Sequence, residues 1–403
     1  MTGFGFELRR RRLAAEVTLT GLAERLGYSK AHLSKVERGL ARPKMDLARA
    51  CDAALNAQGE LASMVGGQAG NGHQSNDVAA PRSPLDLAPL DELPPVPSSA
   101  ADLEATPLAL RVIFNECRAL GDQISSKVVL EVMVPHAQTL VALARASSVP
   151  ERARVLWMLA ANFLEYTGYM AQESGDFQAA MYWTDEAFGC GELATNAATA
   201  ASALVRQAEI AVHLERAECA VEVARRVQND SRSPASIRCL AAQREAQGHG
   251  IAGAYREYKD ALTRAAQYAQ EKDGAYNSFA WETNGVRNPV AVTAAWALHD
   301  LGRSAASARI LDWEVPCIHS ESVRTKARFS ARRALAHAST GNVERSCELA
   351  KELLPVVEQL DSDTIRSDIQ RLANCLKRWN TRSAVRDLQP DLMRALATSE
   401  IQA

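Results

Sequence analysis

A recurring helical-hairpin pattern constrains the fold of this chain more than any other feature of its sequence. ESGDFQAAMYWTDEAF (173–188) has a Gly-Asp-aromatic turn, with small residues five and twelve positions after the glycine. HGIAGAYREYKDAL (249–262), HDLGRSAASARIL (299–311) and ASTGNVERSCELAKEL (338–353) repeat a turn glycine and the helix that follows it. A glycine ends a helix with a positive φ angle, and small residues let paired helices approach closely. The pattern therefore predicts stacked helical hairpins from about 108 to 397.

These stretches resemble tetratricopeptide repeats of divergent sequence. The resemblance implies an α-solenoid whose concave groove binds a peptide, a small molecule or a partner protein. The segment WETNG (281–285) interrupts the repeats, either as a loop that lines the groove or only as a long connection. An irregular helical domain with chance glycine turns is the alternative to the solenoid.

The start of the chain differs from the rest in helix length and in charge. Residues 4–64 have the pattern of five short helices, and eleven Lys/Arg against five acidic residues give positions 1–49 a charge of +6. Because the whole chain carries −2, the remainder sums to about −8. A basic head on an acidic body predicts that the head meets a polyanion and that the body does not.

The predicted organisation has three parts. A compact helical head occupies 1–65, and a helical-repeat domain occupies 108–403. Between them, 66–107 is rich in Gly, Pro, Ser and Asp and lacks a sustained apolar period, so it is predicted to be a flexible linker. The fold class is thus mainly α, with a five-helix head followed by a solenoid.

The segment GYSKAHLSKVERGLARP (27–43) contains the best-defined local signals in the head. Thr18 can cap a helix that runs through Leu22 and Leu26, Gly27 can end that helix, and Ser29 can cap the next one. Two short helices joined by a tight turn form the helix-turn-helix arrangement.

The second of these two helices has an apolar face and a basic face. If Leu33 and Val36 point inward, Lys30 and Lys35 must point largely outward. A helix whose first turn carries one lysine and whose next turn carries another suits a DNA major groove, where lysine donates to guanine and the helix terminus meets phosphate.

The stretch LRRRRLAAEVTLTGLAERLGYSKAHLSKVERGLARP (8–43) resembles the DNA-binding domain of the XRE (Cro/C1-type) helix-turn-helix regulators. The matching elements are a first-helix arginine, T-x-x-x-LA-x-x-LG, and S-x-x-x-[LI]-S-x-x-E-x-G-x-x-x-P. The resemblance covers about 4–64 and implies double-stranded operator DNA as the partner. Joined to a repeat body, the head is similar to peptide-sensing regulators of Gram-positive bacteria and to a class of actinobacterial regulators, which the alanine and arginine content favours.

The resemblance also implies roles for individual residues. Arg12 and Glu37 would form a structural salt bridge, and Lys30, Ala31 and Lys35 would lie at base-reading positions. Phosphate or flanking contacts would come from Thr18, Ser29, His32, Ser34, Arg38, Arg42 and Lys44. Members of the family often carry Gln after the second-helix cap, where it donates to a phosphate, whereas this chain has Leu19, which has no donor for that contact.

A single small head reads few base pairs, so a homodimer is predicted, with the body sensing a peptide or small-molecule effector. The inner-helix side chains of Asn162, Arg206 and Gln207 could hold that effector, with Trp157 as a wall. Trp281 and Asn284 of the WETNG segment are the other candidates. The opposing interpretation places Trp157 in the core and leaves the polar ones solvated. An antitoxin-like co-regulator or protein-interaction scaffold is the alternative function.

Other classes of protein lack support in the sequence. Nucleophile elbow, P-loop, HExxH and paired-carboxylate motifs are absent, so neither an enzyme nor a cofactor is predicted. The GxGxxG in GHGIAGA (248–254) follows a helical pattern instead of a strand, and it is interpreted as a hairpin turn. Eight scattered cysteines without a CxxC pair predict reduced thiols, no metal site and a cytoplasmic protein. The sequence contains no run of about 18 apolar residues and no signal peptide, so neither a membrane-spanning segment nor secretion is predicted.

Overall fold

The computed structural model describes residues 4–15, 17–38, 41–66, 100–271 and 285–397, without the side chains of Ala31 and 100–106. The fold is mainly α, and the described ranges contain nineteen α-helices and no strand. Five short helices form the head, and fourteen form a solenoid-like body.

The head helices are α1 (Phe4–Ala14), α2 (Leu19–Leu26), α3 (Lys30–Glu37), α4 (Met45–Leu55) and α5 (Glu60–Gly66). Their apolar faces meet in one small core that includes Leu8, Leu22, Leu33, Leu47 and Leu61, all fully buried. The five-helix prediction for this part of the chain is confirmed.

The body consists of consecutive antiparallel helices. They are α6 (Ala100–Gly121), α7 (Ser126–Ala146), α8 (Pro150–Glu173), α9 (Phe177–Leu193), α10 (Ala197–His213), α11 (Ala217–Asn229), α12 (Ala235–Ile251), α13 (Tyr255–Tyr268), α14 (Pro289–Asp300), α15 (Ser304–Glu314), α16 (Val323–Ser339), α17 (Val343–Leu360), α18 (Asp363–Leu376) and α19 (Ser383–Ala397). From α8 onward, each even-numbered helix pairs with the odd-numbered helix after it.

The even-numbered helices α8 to α18 form an inner ring. Each contacts the next in the series, and α18 returns to contact α8. Their partners α9 to α19 lie outside them, as expected of a solenoid that closes on itself. All the turns within the hairpins therefore lie at one end of the ring.

Five of these six turns repeat one backbone conformation, whereas the turn between α18 and α19 contains a 3-10 helix (Lys377–Trp379). Gly175, Glu215, Gly253, Gly302 and Gly341 all have positive φ, at spacings of 40, 38, 49 and 39 residues. The long interval contains 272–284, which lies outside the described residues and includes most of WETNG. Gly248 and Gly250 of GHGIAGA precede the Gly253 turn and lie within α12, where Gly250 packs against Ala297 of α14. Because glycine has no side chain, Gly250 lets α12 and α14 lie close together.

Charged side chains fill the centre of the ring. Glu173 at the end of α8 accepts hydrogen bonds from Arg324 (2.9 Å) and Arg328, and also from Ser362 (2.7 Å) and Thr364 (2.6 Å). The carboxylate and both guanidinium groups are fully or almost fully buried. This Glu173 cluster joins α8 to α16 and α18, which are distant in sequence, and so holds the two ends of the ring together.

The start of the body differs from the predicted linker boundary. Helix α6 begins at Ala100, so residues 100–107 are helical and do not belong to the linker. Ala100, Ala101 and Ala105 are strong helix formers, and Pro107 lies inside the helix. The remainder of that predicted linker, apart from Gly66 at the end of α5, lies outside the described residues.

The structure also bears on the predictions about the cysteines and about a membrane. All eight cysteines are free thiols, and six of them are buried. Within the described ranges, α7 is the one helix long and apolar enough to cross a membrane, but 56% of its apolar window is buried inside the body. A core helix has the same composition, so α7 is weak evidence for a membrane segment.

Candidate nucleic-acid interface

Two capped helices and a glycine turn position α3. The Thr18 hydroxyl accepts a hydrogen bond from the Gly21 amide (3.0 Å), and the Ser29 hydroxyl accepts one from the His32 amide (3.2 Å). Gly27 between the two helices has φ of 65°, a conformation that costs glycine little. These contacts match the local signals in the sequence and fix where α3 begins.

An ion pair between α1 and α3 fixes the orientation of α3. Arg12 donates to both oxygens of Glu37, at 2.6 and 3.0 Å, and also to the Val17 carbonyl oxygen at 3.0 Å. Both charged side chains are at least nine-tenths buried, and the hydrogen bonds from Arg12 to Glu37 raise the pKa of Arg12. The resemblance to XRE regulators implies this pair, and the structure brings the two residues together.

The outward face of α3 is basic. Leu33 and Val36 are buried, whereas Lys30 and Lys35 are exposed, and Ser34 between them is half-buried. Within the described part of the chain, no carboxylate pairs with either lysine. Two lysines on adjacent turns of one exposed face are therefore available to an external partner.

The other residues predicted to contact DNA surround this face. Thr18, Ser29, Arg38, Arg42 and Lys44 are exposed, and His32 is half-buried. Arg38 donates to the Ser34 carbonyl oxygen at 3.1 Å, which keeps its side chain along α3. The side chain of Ala31 lies outside the described residues. Leu19, which replaces the frequent glutamine, is half-buried and packs against the head core, so it supplies no polar contact.

Two head residues with structural roles escaped the sequence analysis. A Cβ atom on Gly5 would overlap the carbonyl oxygens of Val36 and Glu37, so only glycine lets α1 pass so close to the end of α3. The buried Asp52 carboxylate accepts hydrogen bonds from the amides of Gly59, Leu61 and Ala62, and burial raises its pKa to about 6. The only available signals were a glycine between two phenylalanines and an acid within an apolar helix.

The head docks on the end of the ring where the hairpin turns lie. Arg49 of α4 donates to the Asp300 carbonyl oxygen at 2.7 Å, and Arg303 donates to the Gln58 carbonyl oxygen at 2.8 Å. Three turn glycines approach the head closely: Gly253 at Ser63, Gly302 at Asp52 and Gly341 at Arg25. This docking leaves the basic face of α3 exposed.

The predicted effector residues lie apart from this junction. Trp157 is half-buried against the body core, and the Asn162 side-chain oxygen is buried without a hydrogen-bond partner among the described residues. Arg206 pairs with Glu165 and Glu209 inside the ring, and Gln207 donates to Asp185 at 2.6 Å. Trp281 and Asn284 lie outside the described residues. No bound effector tests these six assignments, and they stay predictions.

A comparison with protein families decides what the head is. Residues 4–63 match the family model described as "Helix-turn-helix domain". The chain begins with a helix-turn-helix DNA-binding domain. Such a domain indicates a DNA-binding regulator. No curated protein matches the chain.

Proposed function

We propose that this protein is a cytoplasmic transcriptional regulator that recognises operator DNA through α3. The observation that supports this most strongly is the exposed pair Lys30 and Lys35 on a helix whose opposite face is fully packed. In the major groove, lysine donates to the O6 and N7 atoms of guanine, and the amides at the start of the helix face phosphate. Lys30, Ala31 and Lys35 are the proposed base-reading positions.

The surrounding residues would hold the duplex in register. Exposed hydroxyl and cationic groups near both ends of α3 suit phosphate oxygens, which position a protein without reading sequence. The proposed contacts are Thr18, Ser29, His32, Ser34, Arg38, Arg42 and Lys44. Lys44 precedes α4 and Thr18 caps α2, so their contacts would flank the groove on both sides of α3.

The proposed active form is a homodimer, because two heads on a two-fold operator read twice as many base pairs. Apolar side chains exposed on the first hairpin of the body, Leu108, Val112 and Val128, support a protein–protein surface there. We further propose that the body is a divergent tetratricopeptide-type solenoid that senses a peptide or small-molecule effector. The filled centre of the ring favours an effector site elsewhere on the body.

The DNA-binding proposal predicts a loss of sequence discrimination when the two lysines are removed. A binding sequence is first selected from random duplexes with the full chain. Lys30→Ala and Lys35→Ala should each weaken binding to it by about 1–3 kcal/mol, with less effect on unselected DNA. Fluorescence anisotropy across a salt series measures both affinities. Lys259→Ala, an exposed lysine on α13, is the matched control and should leave both unchanged.

The same titrations separate the alternative functions. Affinity for DNA should fall steeply with salt, because each neutralised phosphate releases counterions. Lys44→Ala should reduce the salt slope by about one unit, since it would lose a phosphate contact and no base contact. If the full chain binds no duplex even at low salt, that result would instead support the protein-interaction scaffold.

A further inference from the structure

A cavity lies between the head and the end of the ring. Its volume is about 500 Å³, the size of pockets that take small organic molecules. Tyr28, Met45 and Asp46 line it from the head, and Leu335, Asn374 and Arg378 line it from the body. We call this space the junction cavity. A molecule bound there would contact both parts of the protein at once.

The arginines around the junction cavity differ in how their charge is balanced. Arg49 forms an ion pair with Asp300 (3.5 Å), and Arg371 forms one with Glu215. Arg378 has no carboxylate within ion-pair distance among the described residues. Its hydrogen bonds go to the Leu26 and Cys375 carbonyl oxygens (3.3 and 3.1 Å) and to the Cys375 sulfur (2.8 Å).

All the hydrogen-bond acceptors that the structure shows for Arg378 are neutral. Burial raises the pKa of the Cys375 thiol, which therefore stays protonated, and the other two acceptors are carbonyl oxygens. These contacts use three of the five N–H donors of the guanidinium group, which leaves one N–H on each terminal nitrogen for a carboxylate or a phosphate. An oxyanion in the cavity would therefore give Arg378 the charged partner that the protein does not supply.

The remaining walls restrict the oxyanion to one negative charge. Asp46 places a carboxylate on the head side, where it would repel a second negative charge on the ligand. His299 also faces the cavity, and burial lowers its pKa to about 3, so the imidazole is neutral and adds no compensating charge. Tyr28, Met45 and Leu335 offer apolar surface to the rest of the molecule.

Arg378 is also in contact with the helix-turn-helix turn. Its guanidinium carbon lies 5.2 Å from the centre of the Tyr28 ring, which stacks on the His32 ring at 5.6 Å. His32 lies on α3 between Lys30 and Lys35. A chain of three contacting side chains thus connects the junction cavity to the proposed DNA-reading helix.

We propose that the junction cavity binds a small monocarboxylate with an apolar body, through Arg378, and that Tyr28 and His32 transmit its binding to α3. The link to α3 rests on the proposed function, whereas the binding site does not. Because the ligand contacts both sides of the junction, it stabilises the docked arrangement of head and body. DNA affinity then changes on binding, since the docked arrangement fixes where α3 lies.

The binding site is tested on the full chain with benzoate, phenylacetate and hexanoate at millimolar concentration. Calorimetry and thermal unfolding should show that at least one of these carboxylates binds. Phenylacetamide, the neutral isostere of phenylacetate, should not bind. Phenyl phosphate should bind more weakly than the carboxylate. Arg378→Gln should weaken binding about ten- to a hundredfold, through loss of charged hydrogen bonds. Arg378→Lys should retain part of it, and Arg386→Gln, an exposed arginine on α19, should retain all of it.

Three results would overturn the binding site: no binding by any carboxylate tested, equal binding by phenylacetamide, or undiminished binding by Arg378→Gln. Tighter binding of phenyl phosphate would also contradict the single-charge argument. Folding of each variant is checked by circular dichroism, and the lysine variant keeps the test valid if the glutamine variant unfolds.

The link to α3 is tested with His32→Ala, which lies outside the cavity lining. This variant should bind the carboxylate like the unmodified chain, but its DNA affinity should no longer respond to the ligand. An unchanged response would refute transmission through His32. If the chain binds no DNA while the carboxylate still binds, the proposed function fails and the binding site stands.

Discussion

Glu173→Gln is expected to destabilise the body by about 3–5 kcal/mol, the usual cost of removing one partner from a buried ion pair. The substitution keeps the size of the side chain but removes the negative charge of Glu173 from the buried guanidinium groups of Arg324 and Arg328. It also replaces an oxygen that accepts hydrogen bonds from Ser362 or Thr364 with an amide NH2 group, which donates hydrogen bonds and cannot accept them. Urea unfolding followed by circular dichroism should show a clear decrease in the midpoint.

The matched control is Glu344→Gln. Glu344 pairs with Arg382 on the surface, where both side chains are about half exposed and solvent screens their attraction. The same chemical change should leave the urea midpoint unchanged at this position. If Glu173→Gln also leaves it unchanged, the Glu173 cluster does not hold the ring closed.

The pH dependence of the stability of the unmodified chain and of Glu173→Gln gives an independent measurement. Burial raises the pKa of Glu173, but Arg328 and Arg324 and the two hydroxyl donors outweigh it and lower the pKa from 4.5 to about 2. An acid with a lowered pKa stabilises the fold above its unfolded pKa, and that stabilisation is lost as the pH falls through the folded pKa. The stability difference between the unmodified chain and Glu173→Gln should therefore shrink between about pH 4.5 and pH 2.

The parts of the fold that the sequence predicts are those that depend on neighbouring residues. Thr18 and Ser29 cap helices through amides three positions away, and Gly27 ends a helix by its own backbone angle. The turn glycines of the body are local signals of the same kind. Periodicity of apolar residues was sufficient for the mainly α class and for the hairpin series.

The closure of the ring and the docking of the head depend on contacts that no local pattern contains. Glu173 meets Arg324 across 151 residues, and Leu26 meets Arg378 across 352. Charged residues at these positions look like ordinary surface charges, because their partners are known only once the ring is formed. Arg206 shows the same limit, since its predicted role as a ligand clamp did not include the pairing with Glu165.

Gly5→Ala tests whether the head must keep its close crossing of α1 and α3 to bind DNA. A methyl group at this position would overlap the backbone carbonyl groups of Val36 and Glu37, and backbone cannot move aside as a side chain can. We expect the substitution to destabilise the head by about 1–3 kcal/mol, a value typical of overpacking. Small domains are only marginally stable, so this loss is a large share of the stability of the head. Hydrogen exchange in α1 and α3 should accelerate, and affinity for the selected duplex should fall at least about tenfold.

Gly189→Ala is the control for the Gly5 substitution. Gly189 lies in α9 with no neighbouring atom within 4 Å of an added methyl group, so alanine should stabilise that helix by about 0.5–1 kcal/mol. The two identical changes should thus shift stability in opposite directions, and only Gly5→Ala should affect DNA binding. If Gly5→Ala binds the duplex like the unmodified chain, the contact between α1 and the end of α3 does not determine how the reading helix is presented.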